Sequence, residues 1–548
     1  MKKVFFPFII AVAAVITSCN DKEEAKIPLE GFTLSKSSVN LQKSGTETLT
    51  VQFFPESASE KGLEWNTDKP AVATVVGGVI TAVGTGYATI TVTSKADATL
   101  VQECLVQVLS GETAQFGKVG ELTNVSGTWA MGTKVMVNGH VVIPEGQSLT
   151  IEEGCEIIFA EEADGLCLIV DGNLFCRGTK EHPVLFSTAE PKRTINNAFA
   201  GLWGGIVIGA KSREVLIDYA IIEYTGGKIT TASPLLGRYH FKIAAGEENH
   251  TFLGGNPGTK PGYADIGKYV ITNSILRYAA DNHFYLFGGN WIVHNNIMIA
   301  GGEEGGDNMA PKAGNNMDIC YNIIFAPNTN GFKLASGANG IADAQSLYRA
   351  YNNTIINAGW RRAGDKGGGI YVEKDALANV FNNLMVNCKF LSQTPRGSSL
   401  PDLNSKIDYN FYYSSAKTNN IADADNGLTA WDTWQRSNAN YIHTLENITY
   451  MGTQYSFIVD QNVKKSASAG ASNPNFVNYN PETMNFDQIE YDNNWDFHVT
   501  SGSSALTGAL SAFTGAMTGL FVTNGLSVGG KTYTSPAPSA RFGAFGTK

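Results

Sequence analysis

Charge is scarce in this chain. Asp, Glu, Lys and Arg make up only 16% of its 548 residues, and 40 basic residues face 50 acidic ones for a net charge of −10. No tract of Lys and Arg interrupts that balance. Nucleic acid is therefore excluded as a partner, because phosphate backbones are held by clustered cations. An acidic chain also offers no long-range attraction to acidic polysaccharides, so a site for one must gather its own cations. Cysteine is as sparse, with seven residues and no Cys-x-x-Cys pair, which leaves no zinc signature. The apolar runs are too short to cross a bilayer, and no helical periodicity organises the long C-terminal part.

What is abundant is glycine, at 59 residues, with 10% aromatics, a balance typical of secreted β proteins. The chain starts with Lys2 and Lys3, continues through an apolar run over residues 4–16, and reaches Ile16-Thr17-Ser18-Cys19. A charged start, a short apolar core and small residues before a cysteine form a secretory signal ending in a lipobox. Residues 1–18 are thus expected to be removed, Cys19 to be lipidated, and residues 19–29 to form a polar tether. Losing Lys2 and Lys3 takes the net charge from −10 to −12. Asn20-Asp21-Lys22-Glu23-Glu24 resembles the acidic signal that sends lipoproteins of some glycan-degrading Gram-negative bacteria to the outer face of the outer membrane. The resemblance implies a lipid-anchored protein of the outer membrane facing the cell exterior.

Over residues 30–110 short alternating runs, such as Leu49, Val51 and Phe53 or Ala88, Ile90 and Val92, are separated by Gly and Pro. That is the pattern of a small antiparallel β-sandwich. The stretch from Leu63-Glu64-Trp65 through Val72-Ala73-Thr74-Val75 to Gly84-Thr85-Gly86-Tyr87 resembles the group 2 bacterial immunoglobulin-like domain. Trp65 is then a core residue.

Residues 120–548 repeat. Ser274-Ile275-Leu276, Asn296-Ile297-Met298, Asn322-Ile323-Ile324, Thr354-Ile355-Ile356, Asn383-Leu384-Met385 and Asn410-Phe411-Tyr412 each set a polar residue before two apolar ones. Spacings of this size with short β segments indicate a solenoid whose coils bury one another's apolar faces. A polar side chain recurring at an inward corner is tolerated when it bonds to the coils on either side, so an asparagine ladder is expected. The fold class is all-β, an N-terminal Ig-like β-sandwich followed by a right-handed parallel β-helix. The early coils, with Gly201-Leu202-Trp203-Gly204-Gly205, resemble other surface β-helix lipoproteins and the superfamily that includes pectate lyases. Asn473-Pro474-Asn475-Phe476 with Asn494-Trp495-Asp496-Phe497-His498 resembles the last coil of many polysaccharide-acting β-helices. Long insertions interrupt the period at 228–268 and about 414–470. Cys155 and Cys176 are 21 residues apart, near one coil, so they either stack as buried thiols or pair as a disulfide.

Aligning the strand that follows each ladder residue places Phe284, Ala310, Phe332 and Ile370 inward and Tyr285, Pro311, Lys333 and Tyr371 outward, since side chains alternate. With coils about 4.8 Å apart, Tyr285 and Tyr371 stand roughly 14 Å from each other, a span suited to an extended ligand. Trp360, Arg361 and Arg362 fall in the adjoining loop, with Glu303, Glu304, Asp307 and Asp365 nearby. Rings that stack on sugars and charges that fix hydroxyls or carboxylates make Tyr285, Lys333, Trp360, Arg361, Arg362 and Tyr371 the glycan-binding candidates. Outward His283 and ladder-side His294 are given structural roles.

Asp307-Asn308-Met309-Ala310-Pro311-Lys312 loosely resembles the DGFAxK segment of family 9 pectate lyases. That family carries a calcium-binding carboxylate cluster one coil further on, where this chain has Thr329-Asn330-Gly331-Phe332-Lys333. With those carboxylates replaced, no calcium or other cofactor is expected. Lys312, Lys333 and Arg361, with Lys366, remain candidate bases or carboxylate partners. The leading expectation is a surface lipoprotein whose β-helix binds a polysaccharide or host glycan. The alternative is a polysaccharide lyase or glycoside hydrolase using the same face.

Overall fold

The computed structural model describes residues 26–258, 266–303, 305–337, 344–362, 367–389, 392–395, 401–402, 404–407, 409–413, 415, 441–443, 448–450, 453–455, 472–483, 485, 488–510 and 520–548. The signal peptide, Cys19, Glu304, Asp365, Lys366 and most of the 414–470 insertion lie outside the described residues. No described helix is long and apolar enough to cross a membrane. The chain divides into two compact units between Val108 and Leu109.

In the first unit, Ser38–Gln42, Val101–Leu109, Gly86–Ser94 and Leu63–Thr67 form one sheet, and Thr46–Thr48, Val79–Ala82 and Ala73–Val76 another. Period-two alternation buries Ala88, Ile90 and Val92 in a shared core, with Trp65 packed against it. Gly78, at φ +88°, admits no side chain, since a Cβ there would stand 2.8 Å from the Leu49 carbonyl oxygen and 3.3 Å from the Trp65 ring.

The second unit is a parallel β-helix. Among the described residues its first wall has eleven strands, from Thr113–Phe116 to Phe411–Tyr413, and its second wall ten, from Gly127–Trp129 to Lys406–Ile407. The third wall runs in six strands from Leu122–Asn124 to Phe284–Leu286, narrows to single pairings at Met309, and resumes with Asn330–Ala335, Gly368–Glu373 and Ser392–Pro395. Inward side chains of all three walls merge into one core, including Val141, Leu168, Ile206, Phe252, Phe284, Met309, Phe332 and Ile370 on the third.

A ladder stands at the turn from the second wall to the first. Ser274 N–H donates to Asn296 Oδ1, and Asn296, Asn322, Asn353 and Asn383 donate in turn to the next asparagine, ending at Asn410. Thr354, aligned with this column by sequence, sits one residue beyond it. Thr354 pairs with Ile323, so Asn353 is the rung. Two polar residues in a row concealed this. Asn352 takes the left-handed turn position also held by Asn273, Asn295 and Asn382, with φ between 51° and 57° across these four.

The C-terminal segment is not a last coil. Phe476–Asn478 pairs antiparallel with Asp496–Val499, and Phe476, Phe497 and Phe542 pack with outward residues of the first wall such as Ile323, Ile356 and Leu384. Further on, Phe521, Leu526 and Val528 pack with outward Leu216, Val270 and Ile292 of the second wall. Those outer surfaces are too apolar to remain bare, and the tail removes them from water. All six described cysteines are buried free thiols, so Cys155 and Cys176 are not bonded.

Candidate functional site

The outer face of the third wall changes character along the coils. Strand register aligns Asn124, Val142, Ile169, Val207, Leu253, Tyr285, Ala310, Lys333 and Tyr371 in one outward column. The aliphatic part is covered by residues 228–250 of the insertion, whose Leu235 and Phe241 pack with Val142, Ile169, Val207, Leu253 and Phe287. Ordered polar contacts fix this cover: Asp164 accepts from Thr230 N–H, and Arg238 donates to Asp171 at 2.6 Å.

Where the cover ends, charge begins. His250, from the end of the insertion, stacks on Tyr285 with ring centres 4.6 Å apart, and Lys312 Nζ stands 4.9 Å from the same ring centre. One coil on, Lys333 Nζ lies 5.8 Å from the Tyr371 ring and 3.8 Å from a Glu373 carboxylate oxygen. Cations over ring faces are attracted by the aromatic quadrupole, so each tyrosine seats a lysine. Solvent reaches the cluster through the side chains of Lys333, 32% exposed, and Asp281, 23% exposed.

Burial sets the proton affinities here. The Lys312 ammonium is pushed down to about 8, mostly by desolvation and then by the Lys333 charge, with Asp307 and Glu373 opposing. Desolvation lifts Asp281 to about 6, although Gly306 N–H donates to it at 3.1 Å. Asp307 is also raised by burial, against the nearby Lys333 and Lys312 charges. Its Oδ1 accepts from Asn330 N–H at 3.0 Å and Asn330 Nδ2 at 2.8 Å, while its own N–H donates to Asn282. Asn282, Asp307 and Asn330 are therefore a second polar ladder. His250 is driven down to about 3 by burial and then by Lys312, so it stays neutral.

The register around Met309 differs by one from the sequence alignment. Met309, not Ala310, pairs with Phe284 and Phe332 and fills the core, so Ala310 takes the outward position given to Pro311. Ala310 and Lys312 donate to Phe284 and Leu286 at 2.8 Å each, on the side of the preceding coil. The next coil would need an N–H at residue 311, which proline lacks, and pairing there shrinks to an isolated bridge.

Tyr285 and Tyr371 are three coil steps apart in the column, and Lys333 neighbours Tyr371. The loop residues are engaged by backbone carbonyls and rings. Arg361 donates to the carbonyls of Gly302 at 2.9 Å and Ala326 at 3.1 Å and stacks its guanidinium over Phe199. Trp360 donates to Asn387 O and packs on the edge of the core, and Arg362 offers its carbonyl to Lys389. Glu303 is exposed. His283 is buried, not outward, bonded to Thr251 Oγ1 and Ile299 O, and His294 contacts Thr272 Oγ1. Among the described residues no three His, Cys, Asp or Glu side chains gather as a metal site requires.

Sequence reasoning passed over His250, Asp281 and Glu373. Glu373 was within reach, two residues beyond Tyr371 and hence on the same face. His250 comes from an insertion with no repeat to align it.

Residues 28–104 match the family model of the bacterial Ig-like domain, group 2, and residues 120–214 match that of the pectate-lyase-like β-helix domain. The charged cluster, from His250 to Glu373, lies beyond the matched coils. No curated protein matches the chain. A pectate-lyase-like domain fits a polysaccharide-related function. The chain thus carries a group 2 bacterial Ig-like domain followed by a pectate-lyase-like β-helix domain.

Proposed function

We propose that the third wall binds an acidic polysaccharide or host glycan at Lys312 and Lys333, and that the chain is an outer-membrane lipoprotein, anchored through Cys19, that presents this site outside the cell. The carrying observation is the pair of ammonium groups on neighbouring coils, each seated on a tyrosine ring. The chain has no basic tract, so a local pair of cations is what would hold a uronate or sulfate. Lys333 and Tyr371 supply the half-buried outer contact, while Tyr285, engaged by His250, supports Lys312. The test is incubation of residues 20–548 with neutral and acidic polysaccharides, scored together for retention and for new chain ends. Retention of acidic chains without new ends supports binding. Equal retention of neutral chains, or none of acidic ones, refutes it. Acylated Cys19 in the mature protein, together with protease accessibility on intact cells, tests the anchor.

A second reading, a polysaccharide lyase, draws on the lowered proton affinity of Lys312. A neutral Lys312 would take the proton beside a uronate carboxylate held by Lys333, and the electron pair left on carbon would form a double bond as the glycosidic oxygen departs and takes a proton from water. Unsaturated new ends that disappear in Lys312→Ala support this reading. A hydrolase on the same face would give saturated ends instead.

A further inference from the structure

Glu373, at the end of the strand Gly368–Glu373, is bracketed by cations. Lys333 Nζ stands 3.8 Å and Lys374 Nζ 4.0 Å from the same carboxylate oxygen, Oε1. Both separations exceed that of a charge-assisted hydrogen bond, about 2.7–2.9 Å. The Glu373 side chain is only 8% exposed, yet its carboxylate makes no hydrogen bond with a described residue. A carboxylate that has given up most of its water ordinarily gains hydrogen bonds in return. This one is held by charge alone, and such attraction fixes no single geometry.

The two bracketing lysines face outward. Their side chains are 32% exposed for Lys333 and 48% for Lys374, whereas Lys312 lies deeper. Local structure brings Lys374 to this place. Lys374 and Asp375 hold φ of 51° and 59°, so the chain turns sharply after the strand. Ser336 of the preceding coil donates its N–H to Lys374 O at 3.1 Å. Gly337 then leaves room for the lysine stem, since a Cβ there would stand 2.5 Å from Lys374 Cδ.

Two exposed ammonium groups converging on one loosely held oxygen make an anion seat that the chain fills by itself. We infer that Glu373 is the resident counter-anion of this seat, that the carboxylate or sulfate of an acidic glycan takes its place, and that Lys374 is a third cation of the binding site. The inference rests on the acidic-glycan reading above and adds what sets its selectivity. In the free protein Glu373 offsets the like charges of Lys312, Lys333 and Lys374. A neutral glycan brings nothing that can displace it, so Glu373 sorts ligands by charge.

Fluorescence anisotropy of labelled oligogalacturonate with residues 20–548, at about pH 6.5 where Lys312 keeps its proton, tests it. Glu373→Gln should tighten binding about three- to tenfold, and the gain should shrink as salt is added. Lys374→Met should weaken binding about threefold in either background. Wild-type binding that Glu373→Gln leaves equal or weaker, a gain indifferent to salt, or full affinity in Lys374→Met overturns the inference and leaves the acidic-glycan reading standing. No binding by the wild type or by Glu373→Gln overturns both. Should Glu373→Gln fail to fold, full affinity in Lys374→Met still overturns the inference.

Discussion

Asn353 Oδ1 accepts two hydrogen bonds from Asn322, one from its backbone N–H and one from its side-chain Nδ2, each at 3.0 Å. Asn353 Nδ2 in turn donates to Asn383 Oδ1 and to the Ile319 carbonyl. Asn353→Ala would strand two buried donors of Asn322, and each such loss costs about 1–3 kcal/mol. Stability should fall by roughly 3 kcal/mol or more, read by denaturant unfolding. Thr354→Val removes only the acceptor for Ala544 N–H and should cost roughly 1 kcal/mol. Equal effects of the two changes would refute the assignment of the rung.

The lysine pair predicts a pH profile for binding. Lys312 loses its proton near pH 8, so affinity for an acidic polysaccharide should fall as pH rises through about 8. Lys333→Met removes a like charge that depresses Lys312, and the midpoint of the remaining binding should therefore move upward. Titrations by calorimetry at several pH values would show it, and a midpoint that stays put contradicts the coupling.

Arg361 ties turns together, so Arg361→Ala should lower stability by roughly 3 kcal/mol through lost charge-assisted bonds. Glycan retention per folded molecule should not change. Selective loss of retention at unchanged stability would return Arg361 to the binding face.

Acid should act oppositely on two buried groups. His294 is lowered to about 4 by burial, from an unfolded value of about 6.5. Its neutral form supports the fold above pH 6.5, and that support is lost as pH falls toward 4. His294→Gln lacks this loss, so its stability relative to wild type should rise over that window. Asp281 is raised to about 6 from 3.8, which gives the wild type stability below 3.8 that is lost as pH rises through 6. Relative to wild type, Asp281→Asn should weaken as pH drops from 6 to 3.8. Unfolding curves at pH 7 and pH 4 compare the signs.

The fold was legible because its causes are local and repeated. Alternation in Gly86–Ser94 and the polar residue before each first-wall strand are one-dimensional patterns that survive insertions. The outward positions of Tyr371 and Lys333 were legible for the same reason, whereas Lys312 entered through a resemblance and not through the repeat. The one-residue errors at Thr354 and Ala310 arose where a coil held two polar residues in succession or a proline that thinned the pairing. Arg361, His250 and the C-terminal segment were not legible, because their partners, such as Phe199, Tyr285 and Val270, lie in distant stretches of the chain that no periodicity links.

The returning tail also sets an order of completion. Coils pair only with their neighbours and can stack one after another as the chain emerges. Yet Arg177 Nη2 donates to the carbonyl of Gly529, Asp318 accepts from Ser535 at 2.6 Å, and Tyr351 donates to Pro536 O. Early, middle and late coils therefore wait for the same final thirty or so residues. Until those arrive, the second wall shows Leu216, Val270 and Ile292 to solvent, and a nascent molecule whose core is already closed remains adhesive on its outside.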